Sequence, residues 1–207
     1  GVGALSLSNL LIISDECKSL GIKPKFYLLG YKEHNIDYSF ELNTHEIDYE
    51  IIYMSYKKYI LNFRYFYKIF NSSHVVFDIS AGDSFSDIYG NKRFINIITL
   101  EIFSLLLNKP LVFSPQTIGP FKSNFSNIIA KFILNKSKAV FARDYKSYHV
   151  AEQLIKKDKN SISTLHETID VAMVLPYTKN QEKKSNKIVV GLNVSALKSS
   201  IPSTPSS

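Results

Sequence analysis

Residues 109–142 read KPLVFSPQTIGPFKSNFSNIIAKFILNKSKAVFA. The stretch opens with a short apolar run, "PLVFS", and turns through "PQTIGP", where Pro and Gly break any regular element. Helical periodicity follows from about Phe121 to Leu134, and a second apolar run, "KAVFA", closes it. Two strands joined by a crossover of this length pair in parallel, because antiparallel neighbours need only a tight turn. The stretch is therefore one βαβ unit.

The same rhythm extends both ways. Upstream, "HVVFDIS" is a β-branched run, followed by the loop "DISAGDSFSDIYG" (residues 78–90, sharing its first three residues) and a helix from about Lys92 to Leu107. Downstream come "RD", a helix from about Tyr145 to Ile155, and "TIDVAMVL", read as a fourth strand. Repeated strand, loop and helix predict an α/β fold with a Rossmann-like, doubly wound parallel sheet. Right-handed crossovers then gather the strand-to-helix loops on one edge. Nearer the start, residues 4–20 have helical spacing and end at Gly21, and "KFYLL" (Lys25–Leu29) reads as a strand. Residues 31–54 are harder to assign, although "EIDYEIIYM" has strand-like alternation, and helical spacing returns from Tyr56 to Phe70.

Residues 1–176 are expected to form this domain, its first strand missing ahead of "GVG", whose amides could face a phosphate. Residues 177–186, "YTKNQEKKSN", read as a linker. Residues 187–207 begin with "KIVVGLNVS", the start of a second, truncated α/β domain, and end in a low-complexity tail, "SSIPSTPSS".

The 207 residues are 45% hydrophobic and 21% charged, the composition of a globular protein. A net charge of +7 favours anionic partners. The basic residues are scattered and do not interleave with aromatics, so no nucleic-acid partner is expected. Cys17 is the only cysteine, which rules out an intrachain disulfide and suits a reducing, cytoplasmic compartment. With no cysteine cluster and the five histidines dispersed, no metal site is expected. The apolar stretch Phe94–Leu107 is interrupted by Asn96, Glu101 and Ser104 and reads as a core helix, not a transmembrane segment.

Ligands of open α/β sheets bind outside the carboxyl ends of the strands. In "DISAGDSFSDIYG", Gly82 permits close backbone approach to a ligand, while Asp83, Ser84, Asp87 and Tyr89 offer polar groups. Asp83 or Asp87 could serve as a general base if its pKa were raised. Asp and Ser after a strand are also common turn formers. Asn91 could cap the next helix, and Arg93 in its first turn opposes the helix dipole, which suggests a separate task. In "SPQTIGPF", Pro115 ends the strand, Gly119 turns the chain and Pro120 suits a first helical position, while Gln116 and Thr117 add hydrogen-bonding groups at the rim. In "FARDYKS", Asp144 fits an N-cap with Ser147 three residues on, and Arg143 could pair with Asp83 or Asp87.

Taken in order, "DISAGDSFSDIYG" with Lys92 and Arg93, "KPLVFSPQTIGPF", "VFARDYKS", "IDVAMVLP" and "VGLNVSAL" resemble the polysaccharide pyruvyl transferase family. The family's first motif has a paired glycine before the aspartate, where this chain has Ala81 and Gly82. The resemblance implies a two-domain, glycosyltransferase-B-like architecture with a cleft between domains. It implies transfer of a pyruvyl group from phosphoenolpyruvate, the donor substrate, onto a sugar hydroxyl of a cell-surface or exopolysaccharide glycan, forming a ketal. The acceptor would be a glycan or lipid-linked oligosaccharide, with peripheral membrane contact and no further cofactor. Gly82, Asp83, Ser84, Asp87, Tyr89, Gln116, Thr117 and Gly119 would line the acceptor side, and Arg93 and Arg143 would steady the loops or add positive potential. The isolated chain is expected to be inactive, because no group in it fits the proton donor. A sugar-nucleotide glycosyltransferase of the same architecture, and a non-catalytic fragment or binding subunit, are the alternatives.

Overall fold

The computed structural model describes residues 2–31, 47–54, 62–80, 84–155 and 161–175. The chain divides into two compact units, Gly1–Leu175 and Pro176–Ser207. The second unit lies outside the described residues, and with it the expected linker and second domain.

In chain order the elements are α1 (Val2–Ser19), β1 (Lys25–Tyr31), β2 (Asp48–Met54), α2 (Phe63–Ser72), β3 (Val76–Asp78), β4 (Ser84–Phe85) and α3 (Asn91–Leu106). They continue with β5 (Leu111–Ile118), α4 (Asn124–Lys136), β6 (Ala139–Ala142), α5 (Tyr145–Ile155), β7 (Thr164–Glu167) and a short 3₁₀ helix, Val171–Val174. Every strand pairing among the described residues is parallel. The larger sheet has the order β3-β5-β6-β7, with β4 also on β5, and β1 pairs with β2. This parallel α/β arrangement is consistent with the Rossmann-like expectation.

One edge of β5 is shared by two segments. Val76–Asp78 runs along Leu111–Phe113, and Ser84 and Phe85 run along Thr117 and Ile118. Two residues past the end of β3, Ser80 has a φ of 43°, in the left-handed region. The core joins Leu111, Phe113 and Ile118 of β5 to Phe94, Ile97 and Ile98 of α3, Ala130, Ile133 and Leu134 of α4, and Ala151 and Leu154 of α5. The β1–β2 pair alternates its side chains between two helices, as a strand must. Phe26, Leu28 and Tyr49 meet Leu10 and Leu11 of α1, and Tyr27, Leu29 and Ile52 meet Phe66 and Ile69 of α2.

Four local expectations are corrected. Strand β5 does not stop at Pro115 but continues to Ile118. Its pairing with β6 skips from Phe113 to Gln116, so the proline's missing N–H falls at an irregularity in the ladder. Helix α4 begins at Asn124, not near Phe121, with Ser123 as its cap: the Ser123 hydroxyl accepts from Ser126 N at 3.0 Å. Pro120 is therefore in the loop. Gly90, not Asn91, occupies the cap position of α3, and Asn91 is its first helical residue. The fourth strand is "TLHE", Thr164–Glu167, and "TIDVAMVL" is not a strand. Thr168 closes the ladder on the Ala142 carbonyl, and Asp170 then caps the 3₁₀ turn by accepting from Ala172 N at 2.9 Å.

Candidate functional site

The first motif meets the second through a set of specific contacts. Gly119 N donates to the Phe85 carbonyl at 2.8 Å, and the Ser86 hydroxyl donates to the Pro120 carbonyl at 2.6 Å. The Asp87 carboxylate accepts from Lys122 N at 2.8 and 3.0 Å and from Ser123 N at 3.0 Å. Burial alone would push the Asp87 pKa up. The backbone donors of Lys122 and Ser123, aided by the Ser126 hydroxyl, outweigh it and hold the group below its ordinary value. Beneath these bonds Phe85 packs against Phe94, Phe113 and Phe121 at ring distances of 5.8, 4.9 and 5.5 Å. Ser86 and Asp87 thus brace one loop against the other, and an ionised Asp87 occupied by two amides is poorly suited to act as a general base.

Behind this clasp lies an acidic pair that the sequence reading did not single out. Asp78, half-buried with its carboxyl turned inward, accepts from Ser80 N at 2.9 Å, the Ser80 hydroxyl at 2.8 Å and Gln116 Nε2 at 2.8 Å. Glu101 of α3 is buried against it, and neither of its carboxyl oxygens meets a donor among the described residues. Burial first, and then the neighbouring Asp78 charge, raises the Glu101 pKa well above the carboxylate range; burial also raises Asp78. A neutral Glu101 avoids placing a second buried negative charge beside Asp78. The sequence did carry a signal, an acid inside an apolar helix and another at the end of an apolar strand.

The remaining expected site residues separate into groups. Gly82 and Asp83 lie outside the described residues. Ser84 is buried, and its hydroxyl meets no partner among the described residues. Gln116 is turned inward to Asp78, not out to the rim. Arg93 lies over the Tyr89 ring, 4.6 Å from its centroid, and reaches the Ser80 carbonyl at 3.4 Å, so its task includes tying α3 to the loop after β3. Arg143 pairs with Asp170 at 3.3 Å, not with Asp87, whose carboxylate is already filled. Asp144 caps α5 as expected, accepting from Ser147 N at 2.9 Å and from the Ser147 hydroxyl at 3.0 Å.

What stays open is a cleft of about 690 Å³ at the carboxyl ends of β5 and β6. Thr117, Ile118, Gly119 and Pro120 form one wall, and Asp144, Tyr145, Lys146, Ser147 and Val150 form the other. Tyr145 is 64% exposed there, and its ring meets His149 edge-on at 4.2 Å. Gly119 is required for this wall. Its φ is +70°, and a Cβ would stand 2.8 Å from Val150 Cγ1. A smaller hollow of about 220 Å³ between β2 and α2 is lined by Ile51, Ile52, Tyr53, Asn62, Tyr65 and Phe66 and contains none of the motif residues. The loops after β5 and β6 thus meet at an open cleft on the carboxyl edge of the parallel sheet.

Comparison with protein families tests the resemblance directly. The polysaccharide pyruvyl transferase family model matches residues 19–205. The chain belongs to that family. No curated protein matches it in sequence. In this member of a transferase family of polysaccharide synthesis, the motif residues fall into two groups. Ser86, Asp87, Gln116 and Arg93 hold the loops in place, while Thr117, Tyr145 and Lys146 face the cleft. No helix among the described residues is long and apolar enough to cross a membrane.

Proposed function

We propose that this chain provides the acceptor-facing part of an enzyme that transfers a pyruvyl group from phosphoenolpyruvate to a sugar of a polysaccharide or lipid-linked oligosaccharide. The cleft carries the reading. It joins an exposed aromatic ring, Tyr145, to the hydroxyl of Thr117 and the charge of Lys146. An aromatic face covers the C–H side of a sugar ring while polar neighbours address its hydroxyls, and sites of this kind orient a ligand with few polar groups.

The reaction sets the remaining requirements. One sugar hydroxyl adds at C2 of the enol while the methylene carbon takes a proton. A second hydroxyl then displaces phosphate, and its proton leaves with the phosphate. The products are the ketal, now bearing a methyl group, and inorganic phosphate. The step needs an acid at the methylene carbon and cations at the departing phosphate. The two carboxyls with raised pKa, Asp78 and Glu101, do not line the cleft. By analogy with a glycosyltransferase-B-like architecture, the donor half of the chemistry is assigned to a second domain, and the 207-residue chain by itself is expected to bind glycan without turnover.

Titrating the chain with acidic bacterial oligosaccharides while following the tyrosine resonances tests this. Binding that weakens roughly tenfold in Tyr145→Ala, with no phosphate released from phosphoenolpyruvate, is the expected result. Binding of a nucleotide sugar in place of glycan would sink the acceptor reading, and ketal formation by the chain alone would sink the division of labour.

A further inference from the structure

Helix α4 turns Ala130, Ile133 and Leu134 into the core and leaves Phe125, Ile128 and Phe132 outside, 57%, 66% and 49% exposed. Positions i, i+3 and i+7 share one face of a helix, so the three side chains form a stripe about 10 Å long. On the same helix Lys131 lies roughly 90° to one side of the stripe and Lys136 roughly 50° to the other, at about 100° per residue. Exposed Lys122 precedes the helix. The surrounding sequence has one sign of charge. Between Glu101 and Asp144 there is no acidic residue, and Lys109, Lys122, Lys131, Lys136, Lys138 and Arg143 contribute six of the chain's seven net positive charges. The rest of the chain, with 19 basic and 18 acidic residues, is nearly neutral.

Single exposed apolar side chains are ordinary on protein surfaces. A stripe of three large ones, on a helix whose only charged residues are Lys131 and Lys136, is less so. We propose that the outer face of α4 docks on an anionic membrane surface. Phe125, Ile128 and Phe132 enter the boundary between headgroups and acyl chains, and Lys131 and Lys136 extend outward to lipid phosphates. Phe125 follows Pro120, in the cleft wall, by only five residues. Docking of α4 therefore brings that wall to headgroup level, where a sugar on a lipid carrier is presented. The inference deepens the acceptor reading above and rests on it for its purpose, but membrane binding is measured with no transfer reaction.

The test is co-sedimentation of the full chain with vesicles of phosphatidylglycerol and phosphatidylcholine in equal parts, and with phosphatidylcholine alone. The chain is expected to bind the anionic vesicles, and binding should fall with added salt. The double variant Phe125→Ser/Phe132→Ser should lower the partition coefficient on the order of tenfold or more, and Lys131→Glu several-fold. Leu20→Ser removes a more exposed apolar group just past the end of another helix and should leave partitioning unchanged. Circular dichroism of each variant checks that the fold persists. Failure of the wild-type chain to bind anionic vesicles, or equal binding by the double variant, overturns the proposal. If the wild-type chain is a dimer that Phe125→Ser/Phe132→Ser converts to a monomer, with no vesicle binding, the stripe is an interface between copies. Vesicle binding without any glycan binding would leave the docking surface standing and remove the acceptor reading.

Discussion

At the scale of single residues, the carboxyls of the unit act in opposite directions. Asp87 has a folded pKa below the unfolded value of about 3.9, because burial is outweighed by its amide donors. Its stabilisation is complete above that value and is lost as pH falls through the folded pKa. Asp87→Ala is expected to cost about 2–3 kcal/mol in urea unfolding at neutral pH, the worth of charge-assisted hydrogen bonds, and this gap should close on acidification. Glu101 has a raised folded pKa, so its contribution is complete below about 4.3 and declines as pH rises toward the folded value. Glu101→Gln keeps a neutral donor beside Asp78 and removes the titration. Relative to the variant, the wild type should lose stability as pH rises above about 4.3, and thermal melts across a pH series will show it. A variant that tracks the wild type at every pH would mean that Glu101 is not held neutral. The composition of "DISAGDSFSDIYG" suggested ligand-binding groups, but a carboxylate facing a ligand and one capping two amides look the same in one dimension.

At the scale of elements, the two motif loops form one mechanical unit. Gly119 combines a left-handed backbone with no room for a side chain beside Val150. Gly119→Ala should destabilise by about 2–4 kcal/mol, from backbone strain and overpacking together. Val150→Ala should recover the packing share and leave the strain, so a double-mutant cycle by chemical denaturation should show favourable coupling of about 1 kcal/mol or more. Additive effects would mean that Val150 is not the obstacle. Most elements were legible from apolar periodicity, including α5 from Tyr145 to Ile155 and the strand within "EIDYEIIYM". Strand β7 was missed because its four residues are largely exposed and polar, which leaves no alternation to read. The extension of β5 through Pro115 was missed because a proline at a ladder irregularity looks, in sequence, like a proline that ends a strand.

At the scale of the whole molecule, the described residues hold cores of unequal size. The larger sheet packs its aromatic and aliphatic core against α3, α4 and α5, while β1 and β2 form a two-stranded pair between α1 and α2. Local opening follows buried apolar contact, so amides of β5 and β6 should exchange slowest with solvent and those of β1 and β2 measurably faster. Equal protection across both sheets would show that the unit opens only as a whole. The sequence by itself determined the parallel α/β class, the family, and the positions of the loops at the carboxyl ends of the strands. Apolar periodicity and glycine or proline punctuation are local properties, and a linear string records them. Only the tertiary structure decided which polar residues are spent inside the fold and which face the cleft. Asp87 meets amides 35 and 36 residues away, Gln116 meets Asp78 across 38, and Arg143 meets Asp170 across 27. A side chain's role follows from the partner that reaches it first, and those partners are set by how the strands pair, not by their neighbours in sequence.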